Sequence, residues 1–481
     1  MRRVIIHLDI PENYYDKAKY IFSMYSMAWG IPIQLSKNKS LFKKAHIVYT
    51  KRTHSMQLNG KIVIPFDEAL YEKHTKCDVI IKDGYHLWVK SSEKNNIDLI
   101  ASTYRLLAFS DEFQIRKTER NKSGIFSVNS LPENRKKIIK LPIVEDHIAF
   151  IIEKLLINIP SIKNSIIPRW PNNKKYVISI THDTDAVNLG SPKELLTNSL
   201  KYFLRFDRVY LNMFKDGLKY IYNPNENPFF SYSGWRAYEA QNNLKSCFYL
   251  YVKPQKTPVH INDCKSDLLN EKIDWEILKL LANEDWEIGL HPSINAKQNI
   301  DEFIYSKKLL EDKIEIDVFG LRHHYWALDW FKPYLTFRKH VNAGFKYDSS
   351  IAWRDAPGFR AGTCLPFRPF DPIRNKPLNM YELPTCLMDG HIINNNGNTT
   401  EMANKGIKII ESVKERNGVA VLDWHTESYC NDYVYSSYME VFHNILNHVI
   451  GDNDLWVATP LEIINWWNHR SIDLIKNSNE D

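Results

Sequence analysis

VISITHDTDAV, residues 177–187, is the stretch on which the fold turns. Its first four residues favour an extended backbone. They run straight into Thr181, His182, Asp183, Thr184 and Asp185. A strand that merely ends in a turn commonly carries Asp and Thr there. Two carboxylates and an imidazole side by side also suit a metal or acid/base site on the rim of a sheet. The rest of the chain has to choose between these readings.

From residue 169 onward the same rhythm repeats. Strand-like runs are YVISIT, SCFYLYV, WEIGLH, VFGLRHH, KYDSS, LNMYELP, GVAVLDWH and LWVAT. Helical patterns lie between several of them: DWEILKLLANE, DEFIYSKKLLEDK, WFKPYLTFRKHVNAG and NKGIKIIESVKERNG. Gly344 and Gly418 end two of these helices, as C-terminal caps would. Seven or eight strands alternating with helices predict an α/β fold, an irregular (β/α) barrel over residues 169–481.

In such barrels chemistry sits at the C-terminal ends of the strands. There this sequence places His182, Asp183 and Asp185, then His291-Pro292-Ser293, then Arg322-His323-His324, then His425-Thr426-Glu427. A loop with Asp355, Arg360 and Cys364 follows KYDSS. One strand-end His is ordinarily structural. Four on one face of one barrel point to a functional site.

Residues 1–168 predict a smaller α/β domain. Its strands are HIVYT, GKIVIPF and CDVIIKDGYHLWV, and its helices are IDLIASTYRLLAFSDEF and VEDHIAFIIEKLLINI. Its lone His and Asp residues read as structural. SIIPRWPNNKK, with two prolines and basic residues, reads as the linker.

The residue types on the rim narrow the chemistry. Asp and His donors without Cys suit a catalytic Zn²⁺ or a similar divalent ion with an open position. Such an ion polarises a carbonyl and acidifies water. A second carboxylate can take the proton, a His on another strand can protonate the leaving group, and an Arg keeps the base ionised. Together these parts amount to metal-assisted hydrolysis of an amide or ester.

The order of the motifs is similar to that of the polysaccharide deacetylase family, the NodB homology domain of carbohydrate esterase family 4. That family opens on Thr-Phe-Asp-Asp-Gly, and this chain has Thr181-His182-Asp183-Thr184-Asp185, like the His-Asp-x-Asp variant of some branches. The resemblance implies Asp183 as general base and Asp185 as metal ligand. The extra residue between the carboxylates leaves a swap open. The second motif, His-Ser/Thr-x-x-His, stands here as His291-Pro292-Ser293-Ile294-Asn295. His291 matches as a ligand, Asn295 replaces the second one, and His324 or a water is left to complete the set. Arg322 takes the place of the Arg that orients the base. Tyr347–Phe367 fits the fourth region, and Arg360, Tyr347 and Trp424 are assigned to substrate contact. His425, in LDWHTE, takes the place of the catalytic acid. Residues 1–168 are similar to the N-terminal domain fused to this deacetylase type in some bacterial chains, on IDLIASTYRLLAFSDEF, RNKSGIFSVNSLP and LPIVEDHIAFIIEKL.

The resemblance implies a hydrolase that removes an acetyl group from an acetylated (amino) sugar of a surface polysaccharide or its precursor. Its cofactor would be a divalent metal, Zn²⁺, and its partner a carbohydrate. Two other readings stand beside it. One is a hydrolase of another small C–N bond on the same barrel. The other is a non-catalytic carbohydrate-binding or assembly protein, for which Asn295 is the argument.

Bulk properties bound the rest. A chain of 481 residues predicts two domains. Net charge is +6, with no Lys/Arg block, so neither a nucleic-acid nor a membrane partner is expected. No run approaches the ~20 apolar residues of a membrane span. Cys77, Cys247, Cys264, Cys364, Cys386 and Cys430 form no Cys-x-x-Cys pair, which fits reduced thiols in a cytoplasmic protein. The apolar run Val4–Ile10 is too short for a signal-peptide core, so cytoplasmic localisation is expected.

Overall fold

A computed structural model describes residues 3–52, 60–72, 74–122, 124–223, 226–264, 275–394, 397–430 and 432–479. In the first region β1 (Val4–Asp9), β2 (Ile33–Ser36), β3 (Ile47–Thr50) and β4 (Ile62–Pro65) form a parallel sheet in the order β2-β1-β3-β4. β5 (Cys77–Lys82) and β6 (Tyr85–Lys90) pair as an antiparallel hairpin. Helices Tyr15–Trp29, Leu99–Leu107 and Ile143–Asn158 cover them. The first of these has no counterpart in the sequence expectation.

The second region is built on β7 (Tyr176–Thr184), β8 (Ser246–Tyr251), β9 (Glu287–His291), β10 (Gly320–Leu321) and β11 (Tyr347–Asp348). A small antiparallel pair, β12 (Phe370–Asp371) with β13 (Lys376–Pro377), precedes β14 (Tyr381–Glu382), β15 (Thr385–Met388), β16 (Val419–Asp423) and β17 (Leu455–Val457). The main sheet runs β14-β11-β10-β9-β8-β7-β16-β15, and β17 also pairs with β7. Every pairing in it is parallel. The two ends of this eight-strand path, β14 and β15, are joined through Leu383 and Pro384 alone. The sheet therefore curls into a half-barrel whose ends meet through the chain, not through a hydrogen-bond ladder. This is the geometry of an irregular α/β barrel. LNMYELP reads as one strand, yet Pro384 cannot donate to a ladder, and a separate strand starts at Thr385.

Strand alternation sorts the side chains. Val177, Cys247, Tyr249, Tyr347 and Val421 face the lumen, in one buried cluster. Tyr176, Ile178, Ile180, Phe248 and Leu290 face the outer helices, in another. The lumen cluster continues into Ile21, Trp29, Ile100 and Ile148 of the first region. The segment read as a linker is packed as well. Trp170 is fully buried, with ring centroids 5.3 Å from Trp467 and 6.2 Å from Trp456. Arg169 donates to the carbonyls of Ala28 and Arg416.

Gly344 adopts the left-handed conformation of a cap (φ +84°), as expected. Gly418 does not. Asn417 (φ +54°) makes that turn, and Gly418 is needed because a Cβ there would run into the Cys364 sulfur.

Candidate metal and acid–base site

β7 answers the opening question by alternation. Thr181 and Asp183 turn into the lumen, where Arg322 donates to both, at 2.7 and 3.1 Å. His182 turns the other way. Its Nε2 lies 2.9 Å from Glu239 Oε1 and its Nδ1 2.6 Å from the Trp424 carbonyl, with Trp235 and Phe248 against its ring. His182 belongs to the helix layer. Two residues beyond Asp183, past the end of the strand, Asp185 meets the imidazoles of β9 and of the loop after β10.

There Asp185 Oδ1 is 3.3 Å from His291 Nε2, and Oδ2 is 3.3 Å from His324 Nε2. Cys264 Sγ–H donates to Asp185 Oδ1 at 3.3 Å. One donor atom from each of Asp185, Cys264, His291 and His324 lies within 4.8 Å of all the others. His291 is committed to one tautomer, because Nδ1–H donates to the Arg322 carbonyl at 2.7 Å. Its Nε2 then carries a lone pair, is buried, and has no hydrogen-bond partner. A lone pair facing a carboxylate oxygen is what a cation between them would satisfy. The N/O/S donor set suits Zn²⁺ or a similar ion. Behind His324, its Nδ1 lies 3.9 Å from Asp263 Oδ1. Burial opposes a charge on His324, yet Asp185 and Asp263 lift its pKa to about 9. Burial likewise opposes the Asp185 charge, but His324 holds that carboxyl well below its usual range.

A buried arginine stands beside this cluster. Arg322 is fully buried and donates to Thr181, Asp183, the Ser349 carbonyl and hydroxyl, and Thr385. Asp423 Oδ1 lies 3.2 Å from the same guanidinium nitrogen as Asp183. Burial and the neighbouring Asp183 push the Asp423 carboxyl well above its ordinary value. Asp183 Oδ2 stands 3.7 Å from His291 Nδ1.

His425 Nε2 is 3.8 Å from Asp185 Oδ2, and a ring nitrogen of His425 lies within 4.8 Å of oxygens of Asp183 and Asp423. Its Nδ1 sits 3.0 Å from Asp389 Oδ1, and its backbone N–H donates to Asp389 Oδ2. Ser428 donates to the same carboxylate. Burial opposes an imidazolium here, but Asp389 and Asp423 raise His425 well above its ordinary value.

Asp183, Asp185, His291, Arg322, His324 and His425 thus come together. Arg360, Tyr347 and Trp424 do not join them. Arg360 forms a buried two-pronged pair with Glu112 of the first region, 2.8 Å on each prong, and its guanidinium lies over Trp330. Tyr347 lies deeper in the lumen, bonded to Glu287 and Tyr249 at 2.5 and 3.0 Å. Trp424 faces outward onto Phe442. Asn295 turns to the Pro258 carbonyl. His323 points outward to His340. Cys264, Asp263, Asp389 and Asp423 were not singled out from sequence. Cys264 places a sulfur beside a donor set expected to hold only Asp and His. Asp389 follows β15, the strand hidden by Pro384, and Asp423 lies within LDWHTE beside the more conspicuous His425.

No protein-family profile matches the chain, and no curated protein matches it. Solved structures with partial likeness include a putative polysaccharide deacetylase from Mycobacterium smegmatis, at 16% identity and a TM-score of 0.40, covering 63% of this chain and 93% of that one. The Puue allantoinase has 10% identity and a TM-score of 0.42, with the same coverage of 63% and 93%. The polysaccharide deacetylase Bc1974 from Bacillus cereus has 14% identity and a TM-score of 0.27, covering 56% and 86%. Superpositions this loose carry no argument about activity.

Proposed function

We propose that this chain is a metal-dependent hydrolase that removes an acetyl group from an acetylated sugar, an amino sugar of a surface polysaccharide or its precursor. One observation carries the reading: a carboxylate held by a buried arginine and an imidazole held by a buried carboxylate both border one His/Asp/Cys cluster, with an oxygen of Asp183 and a ring nitrogen of His425 within 4.8 Å of each other. A binding protein needs no such pairing of base, acid and cation ligands. The sugar and the acetyl group rest on the resemblance of the sequence motifs to the polysaccharide deacetylase family.

Asp185, His291, His324 and Cys264 would hold the cation. Once bound, a divalent ion there supplies Lewis-acid stabilisation of a developing oxyanion and a lowered pKa of water. Asp183 takes the proton of the attacking water, and Arg322 holds and aims that carboxylate. Asp423 shares the same guanidinium nitrogen of Arg322 with Asp183. His425 gives its proton to the departing nitrogen or oxygen, and Asp389 fixes its ring and favours the charged form.

Acetate release from acetylated amino-sugar glycans, with added Zn²⁺, tests this. Release should require both the metal and Asp183, with Asp183→Asn slowing it by ~10²–10⁴-fold. Protein that binds such glycans but releases acetate from none of them would replace this reading with the non-catalytic one.

A further inference from the structure

Two helices inserted between β7 and β8, Pro192–Arg205 and Arg208–Tyr220, form a hairpin turned at Phe206 and Asp207. Its inner face is closed. Tyr210 and Met213 bury against Ala186, Leu189 and Phe229, and a Cβ on Gly217 would strike the backbone of Leu189.

Its outer face is apolar and open. Leu196, Leu200, Phe203 and Leu204 recur at helical spacing and are 52–80% exposed. Phe206, at the turn, is 80% exposed, Leu218 is exposed on the second helix, and Ile221 and Tyr222 are exposed just after it. Of the twenty exposed large hydrophobics among the described residues, eight fall in residues 196–222. Scattered apolar residues on a surface need no explanation, but a contiguous patch does.

The charges around the patch choose its occupant. Arg205, Arg208, Lys215 and Lys219 are exposed beside it. Of the acids in these helices and their turn, Glu194 is buried, Asp216 pairs with Lys219 and cancels its charge, and Asp207, which caps Val209, is exposed at the turn, so Arg205, Arg208 and Lys215 leave the face net basic. A symmetric contact with a second copy would set this basic face against itself. An anionic lipid surface complements both its cations and its apolar stripe.

We propose that the outer face of this hairpin lies on an anionic phospholipid bilayer with Phe206 at its tip in the interface, so that the neighbouring site takes a lipid-borne acylated sugar. The two are mechanically joined, because Lys193, in the first turn of the hairpin, donates to the carbonyls of Asp263 and Cys264 beside the cluster. The lipid contact stands by itself. Its substrate clause rests on the hydrolase reading above.

Flotation of the full chain with vesicles tests the contact. Equimolar phosphatidylcholine and phosphatidylglycerol should carry the protein at low salt. Pure phosphatidylcholine should carry it at least ~tenfold less. Leu204→Glu with Phe206→Glu, and separately Arg205→Glu with Arg208→Glu, should each weaken binding at least ~tenfold. These side chains are exposed, and Ile373→Glu, on another exposed apolar residue, should change nothing. No flotation, or flotation indifferent to both double variants, overturns the proposal. So does a concentration-dependent dimer that Phe206→Glu makes monomeric, since a second copy would then occupy the face. The assay needs neither metal nor turnover, so it fails or succeeds independently of the hydrolase reading. If both hold, acetate release from an acetylated amino sugar carried on lipid in those vesicles should exceed release from the free sugar. The Leu204→Glu/Phe206→Glu variant should lose that excess and keep the free-sugar rate. Equal rates on both would overturn the substrate clause.

Discussion

At the scale of single residues, chemistry here depends on which imidazole nitrogen each histidine has left to offer. His291 spends Nδ1–H on a backbone carbonyl, so Nε2 remains as a lone pair. Cys264 is the residue that most changes the site. If its sulfur joins the donor set, Co²⁺-loaded protein should show a thiolate-to-cobalt charge-transfer band that Cys264→Ser abolishes, with cobalt still bound through Asp185, His291 and His324. An identical spectrum in both proteins would confine Cys264 to hydrogen bonding with Asp185. His425 offers a second measurement. Its pKa lies above that of a free imidazole, although burial opposes this, because Asp389 and Asp423 face it. The ion pair therefore contributes its full stability below the unfolded value of ~6.5, and loses it as pH rises through the higher folded value. Asp389→Asn removes the largest favourable partner. The His425 titration followed by NMR should then move to lower pH, and the alkaline limb of acetate release should move with it.

At the scale of elements, the rim is made by strands of very unequal length. β10 has two residues, yet the next residue, Arg322, reaches four other strand ends: Thr181 and Asp183 of β7, Ser349 after β11, Thr385 of β15, and Asp423 of β16. Its position depends on neighbours more than on its own strand. The approach of β16 to the loop at Cys364 is equally tight, since Gly418 leaves no room for a Cβ and Val419 N–H donates to the Cys364 carbonyl at 2.9 Å. Gly418→Ala should cost ~1–3 kcal/mol by overpacking. Adding Cys364→Ala should recover part of that cost, because the two share one space. Chemical denaturation of the single and double variants measures the non-additivity. Strict additivity would mean the backbone absorbs the extra methyl elsewhere.

At the scale of the whole molecule, the first region is bound to the barrel by polar bonds, buried at Arg360 and Thr363, as well as by a continuous apolar core. Arg360 to Glu112, Asp355 to Ser127 and Val128, and Thr363 to Glu145 all cross between them. Removing one partner of a buried ion pair strands the other charge, so Arg360→Ala should destabilise by ~3–5 kcal/mol. A residue that only contacted substrate would instead change KM and leave the denaturation midpoint alone. Removing Glu112 together with Arg360 should restore part of the loss, since no charge is then left unpaired.

What the residues determine by themselves is local and periodic. Strand rhythm, helix spacing and the polar ends of YVISIT, WEIGLH, VFGLRHH and GVAVLDWH were enough to expect an α/β barrel and to nominate Asp183, Asp185, His291, Arg322, His324 and His425. Helix Pro192–Arg205 was not among the expected helices, although Leu196, Leu200, Phe203 and Leu204 recur along it at helical spacing. What only the tertiary structure decides is which side of a strand a polar residue uses and what lies across from it. His182 and His323 alternate away from the cluster that their neighbours join. Cys264, Asp389 and Asp423 enter the site because distant segments converge there. Arg360 is claimed by a carboxylate 248 positions away in the chain. A sequence carries periodicity along one dimension. Charge pairing, burial and ligand geometry act at short range in three, and only folding brings those partners within reach.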